Sequence, residues 1–197
     1  MVDFQDGLGC LSVLSDAESR SISVENPNGE RGGAKAPTPD APHSSHPLGE
    51  SWKVRSAINL ASSETVALAD IEGPAVINLI WSTLREIDLR YCVIHSYRDD
   101  REAPSVESSN VDFFANAHGL RYNANSTPLN VNSSGVFNSY WQMAFRKRTR
   151  IVVENQRWNE IRGFPYQFYY SLIEVPKHSL DQWHVLHPSR FKEDLYE

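Results

Sequence analysis

The sequence predicts an all-β chain, an antiparallel β-sandwich folded as a single jelly roll with long loops. Three observations carry this. Short apolar segments recur with the two-residue period of half-buried strands, turn residues separate them, and no long stretch shows a convincing helical period. A length of 197 residues with 40% hydrophobic content suffices for one sizeable core. Residues 1–19 are read as an N-terminal segment and residues 20–197 as the jelly-roll domain.

In the N-terminal segment, Leu8, Leu11, Val13 and Leu14 fit the inner face of a short helix, and residues 15–18 fit a turn equally well. Residues 20–24 (Arg-Ser-Ile-Ser-Val) alternate polar and apolar, as a strand with one buried face does. Residues 25–36 end that strand with Pro27, two asparagines and three glycines. Such a run suits a closely packed loop, since glycine adopts positive φ without steric cost. It lacks the residue order of a phosphate-binding loop. Residues 37–50 carry four prolines together with His43 and His46, and read as a stiffened, solvated loop rather than a metal site. Further strands are expected at 52–58, 64–70, 75–81, 87–94, 136–145, 148–154 and 166–175. The segment 75–81 is the most continuously apolar, as expected of a strand buried on both faces.

Charge and composition narrow the function classes. A net charge of -6 gives no chain-wide basic field, so no nucleic-acid partner is expected. The basic cluster at 146–150 reads as an alternating solvated face. No run reaches the roughly 18 apolar residues of a membrane span, and no membrane partner is expected. The first residues lack the cationic region of a signal peptide, which makes the cytoplasm the default expectation. Cys10 and Cys92 read as two buried thiols. No cofactor and no metal are expected.

The chemistry concentrates between His95 and Lys147. Asp99, Asp100, Glu102 and Glu107 crowd the segment around Pro104. Paired carboxylates are what glycoside hydrolysis needs, about 5–5.5 Å apart for retention and farther apart for inversion. A solvated acidic turn has the same composition. Asp112 stands among Val111, Phe113 and Phe114, where a buried carboxylate would have to be hydrogen-bonded or functional. Asn116, His118, Asn123, Asn125, Asn130 and Asn132 populate the loop that follows, and Tyr140 and Trp141 are placed on the next strand. Amides beside aromatic faces suit a polyhydroxyl ligand, whose hydroxyls need paired bonds and whose C–H faces stack. An Asp that only ties down a loop, and an Asn-rich loop beside core aromatics, have the same composition; Asp112, His118, Tyr140 and Trp141 are the candidate substrate-binding residues, and no catalytic residue is assigned.

The chain resembles glycoside hydrolase family 172, formerly the domain-of-unknown-function family 2961. The resemblance runs in family order through residues 20–30, 68–74, Val76, Ile77, Ile80 and Trp81. It continues with Asp99, Asp100, residues 103–107, 112–114, His118, Gly119, residues 138–141, Met143, residues 145–147, Glu154 and Asn155. This resemblance implies a jelly roll, relatives that cleave or rearrange α-linked fructo- or arabinofuranosides with retention, and trimer-based assembly. Family members carry two tandem rolls, with the nucleophile and acid/base glutamates in Gly-Glu-Gly-Asp/Glu and Gly-Thr-Glu-Asp-Tyr-Phe motifs of the second. Neither motif occurs here. Departures also occur at Val111, Ala75 and residues 97–99, where the family has a Gly before Asp-Phe-Phe, a Gly-Pro-Gly turn and Tyr-Trp-Asp.

The expectation is thus the first roll of such a protein, inactive by itself. Its partners would be a furanoside-containing carbohydrate and either a homo-oligomer or a separate chain supplying the second roll over an exposed strand edge. The alternatives are a non-catalytic carbohydrate-binding module and a self-assembling, capsid-like jelly roll.

Overall fold

A computed structural model describes residues 16–33, 55–116, 118–132 and 135–173. They form an antiparallel β-sandwich. The larger layer is a seven-stranded sheet, built on the path β1 (Glu18–Ser23), β13 (Tyr166–Leu172), β4 (Ala75–Thr83), β9 (Val136–Ser139), β8 (Leu129–Asn132) and β7 (Ala124–Asn125). Its seventh strand, β10 (Met143–Phe145), continues along the same side of β4 beyond β9. The smaller layer runs β3 (Thr65–Glu72), β11 (Arg148–Asn155), β5 (Cys92–Arg98), β6 (Val106–Ser109). A two-stranded ribbon joins β2 (Ile58–Leu60) to β12 (Ile161–Phe164).

Alternation explains the layers. On β13, Tyr166, Phe168 and Tyr170 are buried while Gln167 and Tyr169 face away. On β11, Ile151 and Val153 enter the core while Arg148 and Arg150 remain outside. Both inner faces contribute to one apolar cluster, with Ile22, Ile77, Ile80, Phe137 and Phe168 from the larger sheet and Leu68, Ile71, Ile94, Ile151 and Val153 from the smaller. A single turn of helix, α1 (Asn110–Phe113), adds Val111 and Phe114 to it, and the Phe114 ring lies 5.4 Å from that of Phe137.

Three expected elements are corrected. The strand expected at 87–94 begins as a 3-10 turn at Glu86–Asp88, and the strand proper is Cys92–Arg98. The buried Asp88 carboxylate accepts from Arg85 Nε at 2.7 Å and from Arg157, which holds a turn where Ile87 and Leu89 imitate strand alternation. Ile87 is exposed and Leu89 is buried. The strand expected at 136–145 breaks at residues 140–142, because the steps from Ser139 to Met143 outnumber those from Ile80 to Ile77 by one, an extra residue that interrupts the pairing with β4. The expected asparagine-rich loop contains β7 and β8, so Asn125, Asn130 and Asn132 are sheet residues. Trp52, the 37–50 loop with His43 and His46, and Cys10 lie outside the described residues.

Candidate functional site

Asp112 is exposed, not buried as its apolar neighbours in the sequence implied. The α1 turn sends Val111 and Phe114 inward and leaves Asp112 on the outside. Its carboxylate accepts from the Ser109 hydroxyl at 2.6 Å, while that hydroxyl accepts from the Asp112 N–H at 3.3 Å, a reciprocal N-terminal cap. Arg90 Nη1 lies 3.7 Å from the same carboxylate. The Arg90 stem also packs where a Cβ on Gly119 would sit, and Gly119 has a φ of +67°. Arg90 thereby ties the turn carrying Asp112 to the turn carrying His118. The His118 ring is exposed and stands 6.0 Å from that of Tyr122.

Tyr140 and Trp141 occupy the break between β9 and β10 rather than a strand, and are 50% and 46% exposed. They are neighbours in the chain, anchored by the Tyr140 N–H bond to Pro128. The four candidate residues therefore fall into two pairs. Among the described residues, no hydrogen bond, ion pair or ring contact joins one pair to the other.

The acidic turn has structural work. Asp99 Oδ1 accepts from the backbone N–H groups of Arg146 and Lys147 at 2.9 and 2.8 Å, capping the turn between β10 and β11. Asp99 and Asp100 hold φ values of +53° and +62°, and Asp100 faces Lys147 Nζ at 3.7 Å. Glu107 lies 3.8 Å from His95 Nδ1, whose other ring nitrogen is 3.2 Å from Glu154. The Arg148 guanidinium, hydrogen-bonded to Asp70 through two nitrogens, holds that carboxyl below the usual range. Arg150 lies 4.9 Å over the Tyr97 ring. The two arginines of β11 thus face an acid and an aromatic ring of neighbouring strands. Among the described residues, no group of three or more His, Cys, Asp or Glu side chains is placed to hold a metal ion.

The family model for the GH172 first beta-sandwich domain matches residues 50–182. The chain belongs to that family. No curated protein matches it. The match takes in all four candidate residues of the GH172 domain and excludes β1 and the glycine-rich loop after it.

Two features of the GH172 domain escaped the sequence reading. One is a cross-strand row over five strands, in which Asn125 faces Asn130, Asn130 faces Asn138, Asn138 faces Trp81 and Trp81 faces Gln167. Its amides are linked, Asn130 Nδ2 to Asn125 Oδ1 at 2.5 Å and Asn138 Nδ2 to the Asn130 carbonyl at 3.3 Å. The alternation of Leu129 and Val131 with Asn130 and Asn132 was the signal for it. The other is a polar patch in the core beside α1. Asn110 accepts from Ser82 Oγ at 3.5 Å, and its Nδ2 and both side-chain heteroatoms of Asn116 are buried without a protein partner. No sequence pattern distinguishes those asparagines from the exposed ones.

Proposed function

We propose that this GH172 domain is the carbohydrate-contacting, non-catalytic sandwich of a furanoside-acting glycosidase, inactive by itself. The observation that carries the reading is the pair of half-exposed aromatic side chains, Tyr140 and Trp141, held in a strand break close to the β8–β9 asparagines. Aromatic faces stack on sugar C–H groups, and amides supply both donors and acceptors to hydroxyls. The commitment of Asp99 to backbone N–H groups, Asp70 to Arg148 and Asp112 to Ser109 supports the non-catalytic half of the proposal. So does the absence from these 197 residues of both glutamate motifs that the family resemblance calls for. A second sandwich, from a homo-oligomer or another chain, would bring the catalytic pair and cover a sheet edge.

The test is hydrolysis of aryl α-arabinofuranosides and fructofuranosides by the purified chain, followed by titration with the corresponding methyl furanosides. We expect no turnover. Saturable binding should weaken about tenfold when Asp112→Ala and Trp141→Ala are combined, from lost stacking and a lost hydrogen bond. Turnover would overturn the non-catalytic assignment. Unchanged affinity in a folded double variant would overturn the contact surface.

A further inference from the structure

We propose a second saccharide site, in a depression of about 480 Å³ between the outer side of β1, Tyr169 of β13 and the loop at residues 26–33. Its ligand class is a neutral sugar with adjacent hydroxyls. The lining includes neither Tyr140 nor Trp141, so this inference does not rest on the function proposed above.

The wall of the depression is rigidly built. Asn26 is buried, and its side-chain amide clamps the loop from inside. Its Nδ2 donates to the carbonyls of Ser21 at 2.9 Å and Glu30 at 3.0 Å, and its Oδ1 accepts from the Glu30 N–H at 3.0 Å. Ser23 and Asn26 exchange backbone hydrogen bonds at 3.2 and 3.0 Å, closing the turn onto the end of β1. Gly29, with a φ of +66°, lies so close to the Tyr170 hydroxyl that a Cβ would collide with it. A Cβ on Gly33 would collide with the Asn26 amide. Backbone this constrained can present side chains at fixed positions, which lowers the ordering cost of binding a small ligand.

The floor supplies an aromatic platform. Tyr169 is 41% exposed, and its hydroxyl accepts from Gln167 Nε2 at 2.7 Å, which fixes the ring. Ser21 is its cross-strand partner, and Ser19 lies two residues along on the same side of β1. The volume falls in the range of about 300–1,000 Å³ typical of small-ligand pockets.

Charge selects the ligand class. The lining contains two arginines and two glutamates, so it carries no net sign. Arg20 is engaged by Glu18 at 2.6 Å. The Glu30 carboxylate and the Arg31 guanidinium make no hydrogen bond or ion pair among the described residues. An anion would be favoured by Arg31 and opposed by Glu30, and a cation the reverse. A neutral polyol satisfies both, with hydroxyls donating to the carboxylate and accepting from the guanidinium, while its C–H face stacks on Tyr169.

The test is a titration of the isotope-labelled chain with methyl α-arabinofuranoside, methyl α-glucopyranoside and inorganic phosphate, followed by amide chemical shifts. The expected result is saturable shifts at Ser21, Gly32 and Gly33 with at least one glycoside and none with phosphate. Tyr169→Ala, at an exposed position, should weaken that binding about tenfold, and Glu30→Gln should weaken it without altering the rest of the spectrum. Trp141→Ala should leave these shifts in place even where it abolishes shifts around residues 138–142. Saturation by phosphate alone, no saturable shift with any probe, or glycoside shifts indifferent to both Tyr169→Ala and Glu30→Gln would each overturn the proposal.

Discussion

Cys92 shows how far burial alone sets a residue's chemistry. Its thiol is buried at the start of β5, and burial, with the nearby Asp88 charge adding to it, pushes its pKa up to about 12. Native protein should therefore leave Cys92 unmodified by iodoacetamide at pH 8.5, and denaturant should expose it, as peptide mass mapping would show. The same shift has a stability consequence. The folded state holds the thiol proton more tightly than the unfolded chain, so this contribution is complete below about pH 8.5–9 and is lost as pH rises towards 12. Asp70 acts in the opposite direction. Its carboxyl is lowered by the Arg148 hydrogen bond, so its contribution is present above the ordinary carboxylate range and fades as pH falls through the folded value. Its apolar neighbours in the sequence pointed to a buried Asp112, but one turn of helix decides which of four consecutive side chains faces water. Nothing in Val-Asp-Phe-Phe fixes that rotation.

At the scale of elements, Asp99 ties the end of β5 to the turn between β10 and β11. One oxygen caps two consecutive N–H groups where β10 gives way to β11. Asp99→Ala should cost about 2 kcal/mol in urea denaturation, because charged acceptors contribute more than neutral ones. Asp99→Asn should cost less, since the amide oxygen still accepts and Asn tolerates the positive φ at this position. Of the strands of six residues or more, β1, β3, β11 and β13 were legible from alternation and β4 from its continuous apolar run, while β5 was placed several residues too early. The short strands β6, β7, β8 and β12 were not, because two to four residues hardly exceed one period of the pattern. Where alternation did mislead, at Ile87 and Leu89, a buried carboxylate rather than apolar burial organised the backbone.

For the whole molecule, the connections beyond β11 hold the pieces together. Asn155 Nδ2 donates to the carbonyls of Leu60, Ala61 and Asn159 at 3.1, 2.8 and 3.0 Å, joining the β2–β12 ribbon to the smaller sheet. Arg157 then reaches the buried Asp88 between β4 and β5, which links the larger sheet to the same junction. Arg157→Ala leaves a buried charge with Arg85 as its remaining partner, and should lower global stability by about 3 kcal/mol, read from the urea midpoint at unchanged slope. The candidate site belongs to a different order of legibility. Composition gathered the four candidates into one stretch, but Arg90, from outside it, ties two of them together, and a strand break exposes the other two.

The pairing of β1 with β13 places the first described strand beside the last, with Ser23 opposite Gln167. During synthesis, β1 leaves the ribosome long before its neighbour exists. Ile22 and Val24, both core residues, must wait without a native partner strand until Tyr166–Leu172 has been made. The larger sheet can therefore close only after Leu172 has been made, and its assembly is limited by a contact of very long sequence separation. Expression conditions that slow translation would extend that exposed interval, while those that favour chaperone binding to the early chain would protect it.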